Sequence, residues 1–535
     1  MADYEYVIVG AGAAGCVLAS RLSADPSVSV CLIEAGGHDG HPFIHMPRGL
    51  AKLVRMPSHM YFYFTEPEPR TGMKPDVWLR GKVLGGSTSV NGMVWVRGAP
   101  GDYDDMAEQM GDDWSWQHMA QAYREIENHE LGAGKDRGGS GPLRISMPTE
   151  RSALTAAILD AGAAMGWPVA ADINQPDDGV SSGFMPRTIW KGRRQSAARA
   201  FLKPAMGRRN LTVMTGRTTD RVVFDGNRAI GIEVLDQSGA RSEIAARREV
   251  ILCGGAMASP GILERSGIGD PALLAGLGIP LVHANSAVGE GVSEHRSIRM
   301  QWRLNRDALS FNRDYQGWRL PLSVLRYYLT HLGPMSSAAI EMRLAFRSRP
   351  DVARADIQAQ LGLYSWDMAS PGGGLEQTPG FCAVAYPVRP SSRGSIHINT
   401  PDPRALPRSK ANFFASNEDR AIVLSAARQL REWAAQEPLA SLIEVETAPG
   451  PVAQSDEAIF DAIDQYGAAG MHTVGSCRMG RDAGSVVDPE MRVRGVSGLR
   501  IMDTSVMPFI PAGNTQAPAM AMAWRAAEIV GREHA

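Results

Sequence analysis

The chain has 535 residues and a formal net charge of −2, too long for one hydrophobic core and too nearly neutral for charge to argue for a nucleic-acid partner or an anionic membrane surface. Apolar residues make up 44% and charged residues 21%, the balance of a globular protein. Five scattered cysteines with no C-x-x-C pair argue against a disulfide framework or a zinc site, no run of 18 apolar residues marks a membrane span, and the N-terminus does not read as a signal peptide, so two or three domains and a cytoplasmic location are expected.

Tyr6–Val9 is a β-branched run that enters the turn Gly10-Ala11-Gly12-Ala13-Ala14-Gly15. Ala13–Leu22 reads as a helix, and Val28–Ile33 as a second strand ending at Glu34. Glycines in such a turn let a pyrophosphate approach the backbone, and the helix N-terminus offers unpaired N–H groups to it. Glu34 stands where a carboxylate accepts bonds from ribose hydroxyls. A dinucleotide site is therefore predicted, and this motif does not separate NAD from FAD.

Further along, Gly132–Pro142 and Ser370–Gly380 read as loops. Leu211–Leu252 reads as strands and turns. The stretch from about 295 to 470 mixes arginines with aromatics, Trp302, Phe311, Tyr315, Trp318, Tyr327, Tyr328, Tyr364 and Trp366 among them, and reads mostly as a second domain. At the C-terminus LRIMDTSVMPFIP is a strand and loop and APAMAMAWRAAEIVG a helix, which returns the chain to the first domain.

Three more segments narrow the cofactor: GKVLGGSTSVNG (81–92), CGGAMASPGILERSGIG (253–269), and MHTVGSCRMG (471–480) together with the C-terminal strand and helix. With the glycine turn these make four separated motifs in order, and across nearly its whole length the chain resembles the glucose–methanol–choline (GMC) oxidoreductase family. Within it the chain looks most like the bacterial choline-dehydrogenase-like branch, which includes hydroxymethylfurfural oxidase and polyethylene glycol dehydrogenase. The resemblance implies an α/β fold: a discontinuous Rossmann-like FAD-binding domain and a substrate-binding domain with a mainly antiparallel sheet covered by helices. The expected division is 1–295 for FAD binding with part of the substrate region inserted, 296–470 mainly for substrate, and 471–535 returning with the active-site pair.

The family's roles carry over by position. Gly10, Gly12, Ala13, Ala14, Gly15, Glu34 and Ala35 hold the ADP half of FAD. By the same resemblance Val83, Asn91, Gly92, Met93 and Val94 line the flavin, the backbone of Thr219 meets the adenine, Asp503 binds near the ribityl chain or pyrophosphate, and Gly86, Ser87, Asn514 and Thr515 also bind the cofactor. His472 and Asn514 match the active-site pair. Two departures matter. Val90 stands where members with covalent flavin carry histidine, which implies non-covalent FAD. The run Gly289-Glu290-Gly291-Val292-Ser293-Glu294-His295 replaces the usual G-x-N-L-x-D-H, so its contact is open.

The implied activity is oxidation of an alcohol to an aldehyde, with His472 taking the hydroxyl proton, hydride passing to flavin N5, and oxygen, a quinone or another acceptor taking the electrons. Asn514 fixes the oxygen, and the positive end of the final helix, with Pro518 in its first turn, faces the flavin. Choline oxidation and a redox-silent hydroxynitrile lyase are the alternatives; photodecarboxylation is disfavoured by the presence of His472. Gly470, two residues before His472, is expected either to leave volume above the reaction centre for a bulky, uncharged primary alcohol or to serve backbone geometry while Met471 fills the gap, and the aromatics of 300–370 are candidate walls that read more often as core. The cluster His38, Asp39, His41, His45 lacks a second group to complete a metal site, so no metal is expected, and Cys477 has no partner that would make it a nucleophile.

Overall fold

The structure is a computed structural model and describes residues 2–174, 179–306, 309–368, 374–511 and 513–533. The first part of the loop expected at 370–380 lies outside the described residues.

The chain opens with β1 (Ala2–Val9), α1 (Ala13–Leu22) and β2 (Val30–Ile33). After a long excursion come α2 (Ala153–Ala164) and β3 (Ser181–Phe184), then β4 (Leu211–Met214), β5 (Thr218–Asp225), β6 (Arg228–Leu235) and β7 (Arg241–Leu252). The second half supplies β8 (Ile298–Leu304), β9 (Met342–Phe346), β10 (Ile357–Gly362), β11 (Gly380–Pro387), α3 (Asn417–Ala434), β12 (Ile443–Ala448), α4 (Asp456–Tyr466), β13 (Leu499–Ile501) and α5 (Gln516–Glu533).

Two sheets organise these elements. The first runs β4-β2-β1-β7-β6-β5, and β13 also pairs with β7. Its β4, β2, β1, β7 and β13 are mutually parallel, and β5 and β6 form an antiparallel extension. The twelve-residue β7 serves two neighbours on one edge: Arg241–Ala245 pair with β6, Val250–Leu252 with β13. Thus the last strand of the chain returns to the sheet that holds the first, with β7 between them. Val7, Ile8, Cys31 and Leu32 are fully buried, as expected for parallel strands covered on both faces. Each such Val, Leu or Ile contributes about 1.5–3 kcal/mol. Helix α1 packs against α5, with Arg21 4.1 Å over the Trp524 ring.

The second sheet runs β12-β8-β11-β10-β9-β3, every pair antiparallel. Successive side chains of a strand point to opposite faces. Ala359, Leu361, Ala383 and Ala385 therefore join the core with residues of α2, α3 and α4, while Gln360, Val384 and Tyr386 face a cavity between the two sheets. Trp302, expected as a possible substrate wall, is core here: it stacks on Phe381 at 5.1 Å and meets Trp433 edge-on. No helix among the described residues is long and apolar enough to cross a membrane.

Candidate active site

The cavity has a volume of about 630 Å3 and runs from the glycine turn after β1 to the His472–Asn514 pair. At the first end Gly10 has φ +102°, and a Cβ there would stand 2.5 Å from the Cys253 carbonyl oxygen. A Cβ on Gly12 would meet nothing within 4 Å, so this backbone faces open space. Gly12 caps α1 without a side-chain hydrogen bond, leaving its first N–H groups for a ligand. Ala13 and Ala14 line the same wall. Gly15 does not: its missing Cβ would lie 1.9 Å from the Gly10 carbonyl oxygen, so this glycine serves helix–strand packing.

Glu34 ends β2 with one carboxylate oxygen accepting from Ala11 N at 2.9 Å and the other from Gly36 N at 2.8 Å. It is 6% exposed, and burial pushes its carboxyl up to about 7. No ion pair to it exists among the described residues, so the cavity side of a buried carboxylate awaits donors such as ribose hydroxyls. Thr219, with Ala35 on the same cavity, has a buried hydroxyl with no hydrogen-bond partner. These features fit the ADP half of FAD.

The cofactor end of the cavity continues along Gly86, Ser87, Asn91, Gly92, Met93, Val94, Asp503 and Thr515. Gly86 has φ +52°, and its Cβ would meet Gly12 Cα at 2.7 Å, so the two glycine-rich segments touch through bare backbone. Asp503 accepts from Gly255 N at 2.8 Å and Ser259 Oγ at 2.6 Å. Asn91 Oδ1 accepts from Met93 N, which holds Met93 at φ +63°, and from Arg194 Nη1 at 2.8 Å. Arg194, 1% exposed, also binds the carbonyls of Ile44 and Asn91 and had no signal in the sequence. The Val83 side chain is fully buried with Ile44, Leu53, Met60 and Val90, while its neighbour Lys82 lines the cavity. Val90 itself is on the wall.

At the far end, Asn514 Nδ2 lies 2.9 Å from His472 Nε2. Asn514 Oδ1 accepts from Gln360 Nε2 at 2.9 Å, and the Tyr386 hydroxyl accepts from Gln358 and Gln360 at 2.6 and 2.9 Å. His472 Nδ1 lies 2.9 Å from His295 Nδ1. Burial, then His295 and the Arg80 guanidinium, hold the His472 imidazole well below its usual 6.5. The following helix α5 starts at Gln516, and Thr515, Gln516 and Ala519 of its first turn line the cavity.

Glu294 and His295, whose loop the sequence left open, turn out to brace this end. Glu294 Oε1 accepts from the backbone N–H of both His295 and His472, and Oε2 from the Thr473 hydroxyl at 2.5 Å. Gly470 lines the cavity, but a Cβ on it would stand 2.8 Å from His295 Cβ and 2.9 Å from His472 Nδ1, so the direction its side chain would take is filled by two imidazoles. The aromatic walls also differ from those expected: they are Tyr61, Tyr63 and Tyr386, none from 300–370. The carboxylates among the lining residues are Glu34 and Asp503, both at the cofactor end. Asp39 pairs with Lys203 at 3.0 Å, His41 Nδ1 accepts from Phe43 N, and all five cysteines are buried and free.

The family models described as GMC oxidoreductase match residues 4–296 and 390–523. An oxygen-dependent choline dehydrogenase of Chromohalobacter salexigens is 36% identical over 540 residues, covering 99% of this chain and 95% of that one. The structure of pyridoxine 4-oxidase from Mesorbium loti superposes with a TM-score of 0.89 at 28% identity, covering 99% of both chains. A fungal aryl-alcohol oxidase shares the fold at a TM-score of 0.83 and 22% identity, covering 100% of both.

Proposed function

The chain belongs to the GMC oxidoreductase family and is an FAD-dependent oxidoreductase acting on alcohols, and from that premise we propose that it oxidises an uncharged primary alcohol to the aldehyde with His472 as the base. The observation that carries this is the His472–Asn514 pair, 2.9 Å apart, at the end of a cavity whose opposite end fits an ADP group. FAD, when bound, supplies the hydride acceptor.

The chain's own residues do the rest. His472 is neutral at neutral pH because burial, with the neighbouring His295 ring and the Arg80 guanidinium, disfavours its charged form. It takes the hydroxyl proton as hydride leaves the carbinol carbon, and what remains is the aldehyde. Asn514, its amide oriented by Gln360, donates to the alcohol oxygen and fixes its angle. The positive end of α5 faces the cavity and favours negative charge developing there.

Choline is the second reading, favoured by the name of the Chromohalobacter relative. A trimethylammonium group wants a carboxylate beside aromatic rings. Tyr61, Tyr63 and Tyr386 supply rings, but both lining carboxylates sit at the cofactor end, which favours an uncharged substrate. Anaerobic bleaching of the flavin by choline, a benzylic alcohol and a short glycol ether tests this. Faster bleaching by an uncharged alcohol supports the proposal. Preference for choline selects the second reading, and no bleaching by any alcohol rejects both.

A further inference from the structure

We propose that His295 is a positioning residue: by accepting a hydrogen bond from His472 Nδ1–H, it holds His472 in the tautomer whose Nε2 presents a lone pair to the alcohol. The inference rests on the reading of His472 as base and adds which of its nitrogens acts and what selects it.

The argument starts at Val388. Its carbonyl oxygen can only accept, and His295 Nε2 lies 2.9 Å from it, so that nitrogen carries a hydrogen. A neutral imidazole has one N–H, which leaves His295 Nδ1 bare. His295 is fully buried, and burial holds its pKa down to about 4, so the ring is neutral. The two Nδ1 atoms lie 2.9 Å apart, and the hydrogen between them therefore belongs to His472. His472 Nε2 is then bare and faces the Asn514 amide nitrogen, a donor, at 2.9 Å. The amide orientation agrees, because Asn514 Oδ1 is already taken by Gln360. The opposite tautomer would set hydrogens of His472 Nε2 and Asn514 Nδ2 against each other.

The surroundings fix the relay. The His295 ring stacks on Tyr386 at 4.3 Å with 23° between planes. Glu294 binds the backbone N–H of both histidines. Gly470 is glycine at the point where any Cβ would enter the gap between the rings. When Nε2 takes the alcohol proton, the Nδ1–H···Nδ1 bond becomes charge-assisted and strengthens. A neutral partner strengthens less than a carboxylate would, which keeps His472 weakly basic and ready as a base below neutral pH.

The test uses holoenzyme labelled with 15N-histidine, His472 signals being those lost in His472→Gln. The wild-type spectrum is expected to show His472 protonated at Nδ1 and His295 at Nε2. His295→Leu is expected to move His472 toward the Nε2–H form. It should slow anaerobic flavin reduction on the order of 10²-fold with FAD content unchanged. His295→Asn, whose Oδ1 can stand where Nδ1 stood, is expected to keep the wild-type tautomer and recover most of the rate. A wild-type His472 protonated at Nε2 would overturn the proposal, even if the variants fail to fold. So would an unchanged tautomer and rate in His295→Leu. If no alcohol reduces the wild-type flavin, the functional reading fails while the nitrogen spectra still decide the tautomer.

Discussion

The Glu294 carboxylate accepts the backbone N–H of His472 at 2.8 Å across 178 residues of sequence. That side chain is fully buried, and it also binds His295 N, the Thr473 hydroxyl and, at 3.6 Å, the Arg80 guanidinium. One carboxylate thus joins the segment entering β8 of the second sheet to the segment that carries the base. Glu294→Ala leaves two buried backbone donors unpaired and takes the carboxylate from the part-buried Arg80, and is expected to destabilise the fold by about 3–5 kcal/mol. Denaturant unfolding of the holoenzyme measures this.

Gly470→Ala is expected to push His295 and His472 apart, since the new Cβ would stand 2.9 Å from His472 Nδ1. Flavin reduction should slow for small and large alcohols alike, with FAD retained. Comparing kcat/KM for ethanol and a benzylic alcohol checks this; a loss confined to the larger substrate would return Gly470 to the role of leaving substrate volume.

Val90 on the cavity wall offers no atom to which a flavin could be tethered. Acid precipitation is expected to release all the yellow colour into the supernatant. Colour retained in the pellet would contradict non-covalent binding.

His397 Nδ1 lies 2.7 Å from Glu264 and Nε2 3.0 Å from Glu290, and these carboxylates raise its pKa to about 9. A histidine pKa raised on folding contributes stability that is fully present below about 6.5 and is lost as pH rises through 9. His397→Leu is therefore expected to lower stability by on the order of 2–3 kcal/mol at pH 6 and by much less at pH 10. Thermal melts of both proteins at the two pH values read the difference.

How far the sequence alone carried depended on distance along the chain. The turn at Gly10–Gly15 was legible because strand, turn, helix and Glu34 follow within one short unit, and α1 spans Ala13–Leu22 as expected. The cavity wall at Asn91–Val94 and the meeting of His472 with Asn514 were reached through family motifs. The burial of the Val83 side chain among Ile44, Leu53 and Met60 was not legible, because those partners come from segments that no motif joins to it. Gly470 was legible only as a small residue: a glycine shows that space is scarce or needed, not on which side, and the imidazoles in its Cβ direction are brought there by the fold. His295 and Glu294 sat in a run that departs from the family pattern, and their partners lie about 180 residues away, visible only once the segments pair at Ser293–Val474 and Arg296–Ala469. The Gln360–Tyr386 support for Asn514 depends on the register of β10 and β11, which local pattern does not fix.

The most direct test of the account is anaerobic stopped-flow reduction of the flavin by a bleaching alcohol, in wild type and His472→Ala. The wild-type rate should hold steady from pH 8 to 6.5, because burial and the neighbouring His295 ring and Arg80 guanidinium keep His472 unprotonated there, and fall only at lower pH. His472→Ala should reduce the rate by about 10²–10⁴-fold with FAD still bound. A variant that reduces its flavin at near the wild-type rate would contradict His472 as the base.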